Sequence, residues 1–365
     1  MKKLLSFILV LMLLLSIIPM GAVMANADTE IGGQYGECSW SLVDGVLTVS
    51  GKGDLSGAIV SQMEEQLDKK EGLVTEVIIE TGITFISHRA FWGYKNLKSI
   101  SIPNTVTRIG GSVCAECVNL TSVIIPESVK RIGDDSFWGC KKLSKVTLPD
   151  GLEYIGGYVF ENTELYENEK NWENGVLYIG NYLFDTKETV SGDYKVKDGT
   201  RTIRDGALSY CEKLKSVTIP ASVVHIGYEA LTRGGIESIK VSSENKNYTS
   251  VDGVLFSKDK SELVKFPSGR TGDYKIPKNV ELIGKTAFMG CSLTSVSIPI
   301  DFDPEECAVF QNSKKLETVT FEEGVEWIDM CAFNDCTNIK TINLPSTIEM
   351  IEGNAFSDSK KNCRG

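Results

Sequence analysis

The sequence predicts a β-rich repeat solenoid, a right-handed coil with a parallel sheet on one face, variant β-hairpin inserts and an N-terminal cap. Three observations predict it. A 23-residue period runs along most of the chain, and each period alternates β-branched with polar residues before a proline-equivalent turn. Two intervals are too long for one period, and both carry the same second unit.

The chain opens with Met1-Lys2-Lys3 and an apolar run from Leu4 to Ile18, broken by Pro19 and Gly21 and followed by Ala25-Asn26-Ala27. A run this short, followed closely by small residues, reads as an export signal over 1–27, with an uncleaved anchor as the other reading. It predicts a secreted or cell-surface protein, with no transmembrane segment once the signal is removed. About 338 residues follow Ala27. The formal charge of −11 falls to −13 without Lys2 and Lys3, which argues against nucleic acid or an anionic membrane as a partner.

Residues 28–72 are expected to form the N-terminal capping unit. Asp44-Gly45-Val46-Leu47-Thr48-Val49 has strand alternation after a glycine turn, and Ser50-Gly51-Lys52-Gly53 makes another turn. From 73 to 365 the solenoid proper is expected. Ile100 to Gly110 recurs almost residue for residue as Val123 to Gly133. In that unit Ile100 and Ile102 point inward and Ser101 outward, and Pro103, which has no N–H, ends the ladder. Val106 and Ile109 return to the core, Gly110 permits a tight bend, and pairs such as Ala90-Phe91 and Ala287-Phe288 plug the far side. Proline-equivalent positions at Glu80, Pro103, Pro126, Pro149, Lys197, Pro220, Pro277, Pro299, Glu322 and Pro345 mark ten such turns. The variant inserts lie near 162–195 and 243–275, where Asn174-Gly175-Val176-Leu177-Tyr178 and Asp252-Gly253-Val254-Leu255-Phe256 predict hairpins.

These residues resemble the BspA-like leucine-rich repeat family of bacterial surface proteins over nearly the whole chain after residue 27. The carriers are the I-P-x-x-V-x-x-I-G-x-x-A-F-x-G-C pattern from Ile276 to Cys291, the Asp252 insert, and the start from Cys38 to Gly53. The resemblance implies a curved solenoid on a secreted or wall-associated protein that takes part in adhesion. After Phe356 we read no sorting motif, wall-binding module or second domain.

All ten cysteines follow the signal, so a disulfide framework is the first idea for an exported chain. The register opposes it for most of them. Cys114 takes the slot of Phe91 and Phe137, while Cys117 takes the slot of Tyr94, Cys140, Cys211, Cys291, Ser313, Cys336 and Ser359. The pair Cys114 and Cys117 is therefore expected to be a buried ladder rather than a metal or redox motif. Cys307 and Cys331, on adjacent turns at nearly one phase, are a candidate disulfide. The two histidines, His88 and His225, sit at different phases, and the acidic pairs fall in turns without a calcium pattern. No catalytic residue, metal or cofactor is expected.

The outward sheet positions are the candidate contact surface. They comprise Ser99, Ser101, Ser122, Ile124, Lys145, Thr147, Ser216, Thr218, Ser238, Lys240, Ser295, Ser297, Thr318, Thr320, Thr341 and Asn343. Such a hydroxyl-rich face suits a protein or glycan on another cell or in a matrix, and implies no pocket for a small apolar ligand. Hydroxyl residues also suit exposed strands without any partner. Trp92 and Trp138, at one phase two turns apart, are a second candidate patch, with packing under the insert as the alternative. The expectation is a monomeric, non-catalytic recognition or adhesion module; a passive envelope spacer is the alternative.

Overall fold

The computed structural model describes residues 31–67, 71–301, 308–357 and 359, so the expected export signal, Cys307 and Cys363 lie outside the described residues. The chain forms a β-solenoid of about 12 turns, more than the ten regular repeats because the cap and the inserts add turns of their own. Each regular turn contributes two short strands, which stack in parallel on two ladders. In the front ladder, for example, Lys145–Thr147 pairs with Ser122–Ile124. In the back ladder Arg131–Ile132 pairs with Arg108–Ile109 on one side and Tyr154–Ile155 on the other. The 23-residue offset between partners is the sequence period made physical: each turn hands its backbone donors to the next.

The cap begins as an antiparallel meander of Ile31–Tyr35, Cys38–Val43 and Val46–Gly51. Its third strand then pairs in parallel with Glu76–Ile79, so the meander covers the end that a bare ladder would leave open. The helix Gly57–Leu67 buries Ile59, Val60, Met63 and Leu67, a spacing that presents one apolar stripe to the core.

Inside the coil the expected plugs form a file of aromatic rings. Phe266, Phe288, Phe310, Phe333 and Phe356 stack with centroids 5.1, 4.5, 5.0 and 5.0 Å apart. The repeat glycine has a different role from the bend expected of it. Gly110 does not occupy the left-handed region, but a Cβ there would lie 2.7 Å from the His88 nitrogen, and one on Gly133 would lie 2.5 Å from the Gly111 nitrogen. Glycine is required because consecutive turns touch backbone to backbone at this corner.

The inserts are hairpins, as expected: Val176–Ile179 with Tyr182–Thr186, and Val254–Ser257 with Glu262–Lys265. Each also interrupts the stack. The back ladder runs from Gly53–Leu55 to Tyr154–Ile155, resumes from Tyr182–Thr186 to His225–Ile226, and resumes again at Glu262–Lys265. The front ladder also ends and restarts at the two inserts, and the buried core divides there into three clusters; among the described residues the back ladder separates once more between Leu282–Ile283 and Trp327–Ile328, and the front ladder between Ser99–Ser101 and Ser122–Ile124.

Candidate functional site

The front-ladder positions divide into two halves. Ser99, Ser101, Ser122, Ile124, Lys145 and Thr147 are all exposed, with Ile124 at 69%. Their strands keep the predicted alternation, so that Val123 is buried between two outward neighbours. Beyond the first insert the face closes on itself. Ser216, expected to be exposed, is buried at 6%: its hydroxyl donates to Asp193 Oδ1 at 2.6 Å between flanking strands on both sides. Thr218, Ser238, Ser295, Ser297, Thr318 and Thr320 are half-buried, while Lys240, Thr341 and Asn343 remain exposed. Ser297 donates to Glu322 Oε1 at 2.7 Å, and Asn343 Nδ2 donates to Thr320 Oγ1 at 2.9 Å. The carpet of hydroxyls is thus continuous in sequence, but its unbroken exposed stretch runs only from Ser99 to Thr147, with Thr341 exposed again near the far end.

The cysteine slot has a specific polar function. Cys117 donates to Phe91 O at 3.1 Å, Cys140 to Cys114 O at 3.0 Å and Cys336 to Phe310 O at 3.1 Å. Ser313 and Ser359 make the same bond to Phe288 O and Phe333 O, at 2.8 and 2.6 Å. A small side chain with one donor is needed here because the corner carbonyl of the preceding turn faces the core. Burial pushes Cys336 up to about 12 and Cys140 still higher, and for Cys114 the hydrogen bond with Cys117 adds to burial in raising the thiol. The Cys140 and Cys336 sulfurs are therefore protonated, buried donors. Among the described residues, no group of three or more His, Cys, Asp or Glu side chains could hold a metal ion. Of the candidate disulfide pair, Cys331 is half-buried and takes a left-handed corner conformation with φ of 61°, and Cys307 lies outside the described residues.

Trp92 and Trp138 occupy the same corner two turns apart, with the small, buried Ala115 between them. Trp92 is 45% exposed and Trp138 half-buried. The Arg89 guanidinium lies over the Trp92 ring at 4.5 Å. Trp92, His88, Arg89, Lys95 and Glu116 line a groove of about 850 Å³ whose other wall is the helix Gly57–Leu67, through Val60, Ser61 and Glu64. The Gly111 N–H donates to His88 Nδ1 at 2.9 Å, which fixes the ring at the groove edge.

Concave sites that the repeat pattern did not imply lie at the ladder breaks. A cleft of about 370 Å³ opens between Tyr154 and Thr202, and one of about 290 Å³ between His225 and Glu262. His225, Gly227 and Tyr228 line both. The second cleft is bounded by Lys265, which is 3% exposed and whose Nζ donates to Thr286 O, Thr286 Oγ1 at 3.1 Å and Tyr228 O at 3.5 Å. Burial pulls this amine down to about 7. It ties the turn before the break to the turn after it. Burial also lowers His225. No sequence signal marks Lys265, which stands in the alternating strand Glu262–Lys265 at an inward position usually filled by an apolar residue.

The repeat pattern matches the description "BspA type leucine rich repeat region (6 copies)" over residues 69–191, 178–272 and 266–363. No curated protein matches the chain. Among solved structures, the chain is 22% identical to a leucine-rich repeat protein from Eubacterium ventriosum, covering 92% of this chain and 97% of that one with a TM-score of 0.36. It is also 22% identical to a leucine-rich cell surface protein from Faecalibacterium prausnitzii, covering 92% and 94% with a TM-score of 0.39. A leucine-rich repeat protein from Bacteroides ovatus is 20% identical, covering 80% and 67% with a TM-score of 0.31. With the 23-residue period, the paired parallel ladders and a family match spanning most of its length, the chain belongs to the BspA type leucine-rich repeat family.

Proposed function

We propose that this protein is an extracellular, non-catalytic recognition or adhesion module of a bacterial surface, binding a protein or glycan of a matrix or of another cell. The supporting observation is the freely exposed front patch from Ser99 to Thr147, in which one large apolar side chain, Ile124, stands among hydroxyls and Lys145. An apolar centre rimmed by polar groups is the arrangement that gives an interface both burial and specificity. The apolar side chain at an outward position of a solvent-facing strand also costs solubility, which a contact surface would offset. The chain from residue 28 onward acts as a monomer in this reading.

The test is a binding screen of that chain against immobilised matrix proteins and glycans by biolayer interferometry, followed by Ile124→Glu. Loss of about tenfold or more in affinity for the confirmed partner is expected. Unchanged affinity would move the contact surface elsewhere. One observation favours the spacer reading for the remaining half of the face: Ser216, Ser297 and Asn343 already spend their hydrogen bonds within the ladder.

A further inference from the structure

We infer that the groove between the helix Gly57–Leu67 and the Trp92 corner binds a neutral, extended, β-linked glycan, at a site separate from the front patch. The first observation is the aromatic platform. Trp92 keeps nearly half its surface open although the Arg89 guanidinium lies over its ring at 4.5 Å. A planar aromatic with an open face takes the apolar C–H face of a pyranose, and its polar neighbours take the hydroxyls at the sugar's rim. Such neighbours surround it: His88, Arg89, Lys95, Ser61, Glu64 and Glu116.

Charge selects among ligands. Arg89 and Lys95 are balanced by Glu64 and Glu116 within one groove of about 850 Å³. A sulfated or uronic polymer would meet two carboxylates, and a basic peptide would meet two cations. An uncharged polyhydroxyl ligand meets donors and acceptors of both signs and can satisfy them with charge-assisted hydrogen bonds.

Spacing selects the linkage. Trp92 and Trp138 occupy equivalent corners two turns apart, so the stacking of turns sets their backbones about 9.5 Å from one another, twice the spacing of neighbouring strands. Ala115, between them, is too small to interrupt a line laid across both. In a straight β-1,4-linked chain, alternate residues present the same face at twice the residue repeat, and two platforms in file match that geometry. A helically coiled α-linked chain does not. Glu116, the neighbour of Ala115 on the intervening corner, lines the same groove and can accept from a sugar hydroxyl.

The experiment uses the chain from residue 28 onward and four soluble probes: cellohexaose, chitohexaose, maltohexaose and a sulfated heparin hexasaccharide. Binding is followed by titration calorimetry, with saturation-transfer NMR to identify the sugar protons in contact. A β-linked neutral hexasaccharide is expected to bind with transfer onto its axial C–H protons. Trp92→Ala should weaken it about fivefold to tenfold, the size of one lost aromatic contact. Trp138→Ala should weaken the hexasaccharide but not the matching trisaccharide. Trp92→Phe controls for folding and should retain most of the affinity. The inference is overturned if neither β-linked hexasaccharide binds, if the sulfated or α-linked probe binds more tightly, or if a folded Trp92→Ala binds as the parent does.

Discussion

Replacing Lys265 by methionine should remove a pH dependence of stability that no other described lysine is positioned to supply. The ammonium is buried across the second ladder break and held by Thr286 and Tyr228, and burial lowers its folded value from 10.5 to about 7. In the unfolded chain the amine returns to its ordinary value. Between about pH 7 and 10.5 the unfolded state therefore binds more protons than the folded state, and stability rises with pH across that window. Below about 7 both states are protonated and the full cost of burying the charge is felt. The distance between the two values corresponds to roughly 5 kcal/mol at ~1.4 kcal/mol per pH unit, an upper figure that local hydration of the open ladder break would reduce. Methionine keeps the length of the side chain and cannot titrate. Urea unfolding of parent and variant, compared at intervals from pH 6 to 10, gives a difference from which the other groups cancel. The parent should gain several kcal/mol on the variant as pH rises, and amide exchange should localise the gain to the turns around Tyr228 and Thr286. A difference that stays flat over this range would refute the reasoning, because it would mean that the amine is hydrated or paired as an ordinary surface lysine.

The cysteine slot makes a sharper demand on chemistry than on size. Cys336→Ser should cost less than about 0.5 kcal/mol, since Ser313 and Ser359 already make the same bond, whereas Cys336→Ala should cost about 0.5–1.5 kcal/mol by removing the thiol donor to Phe310 O, which then keeps the Ser313 N–H at 3.1 Å. Equilibrium unfolding of the two variants side by side distinguishes them, and equal losses would show that sulfur volume alone matters. Gly133→Ala should be severely destabilising, by more than about 2 kcal/mol, because the new Cβ would meet the Gly111 backbone at 2.5 Å and backbone cannot swing aside. Thermal unfolding measures this, and a shift no larger than that of Gly157→Ala, where a Cβ meets nothing, would show that the corner can relax.

The sequence displayed the period, and with it nearly everything that depends on one turn meeting an identical turn. The phase of Cys140 and Cys336, the aromatic file through Phe288 and Phe310, and the outward set of Ser99 and Ser122 follow from a register that can be counted. Its chemistry was less visible. Alternation could not show that Gly110 serves close contact rather than bending, because both uses require the same residue. Nor could it show that Ser216 is covered, since its burial comes from Asp193 on a strand supplied by the first insert. The clefts beside His225 and the buried Lys265 arise where unlike turns meet, and repetition is informative only about like turns. Trp92 was visible as one of two tryptophans at a shared phase, but the helix that makes a groove of it carries no repeat signal of its own.

The interrupted ladders matter most when the molecule is pulled rather than when it is heated. In an unbroken solenoid every turn grips the next through the same rows of backbone bonds, so tension along the axis meets uniform resistance. Here, at the two inserts, side-chain ties replace part of those rows, among them Lys265 to Tyr228 and Ser268 to Gly234. Load concentrates at such seams. With the core divided there into three clusters, tension is expected to lengthen the chain at the inserts before the patch near Ile124, whose strand packs on the first cluster, loses its shape.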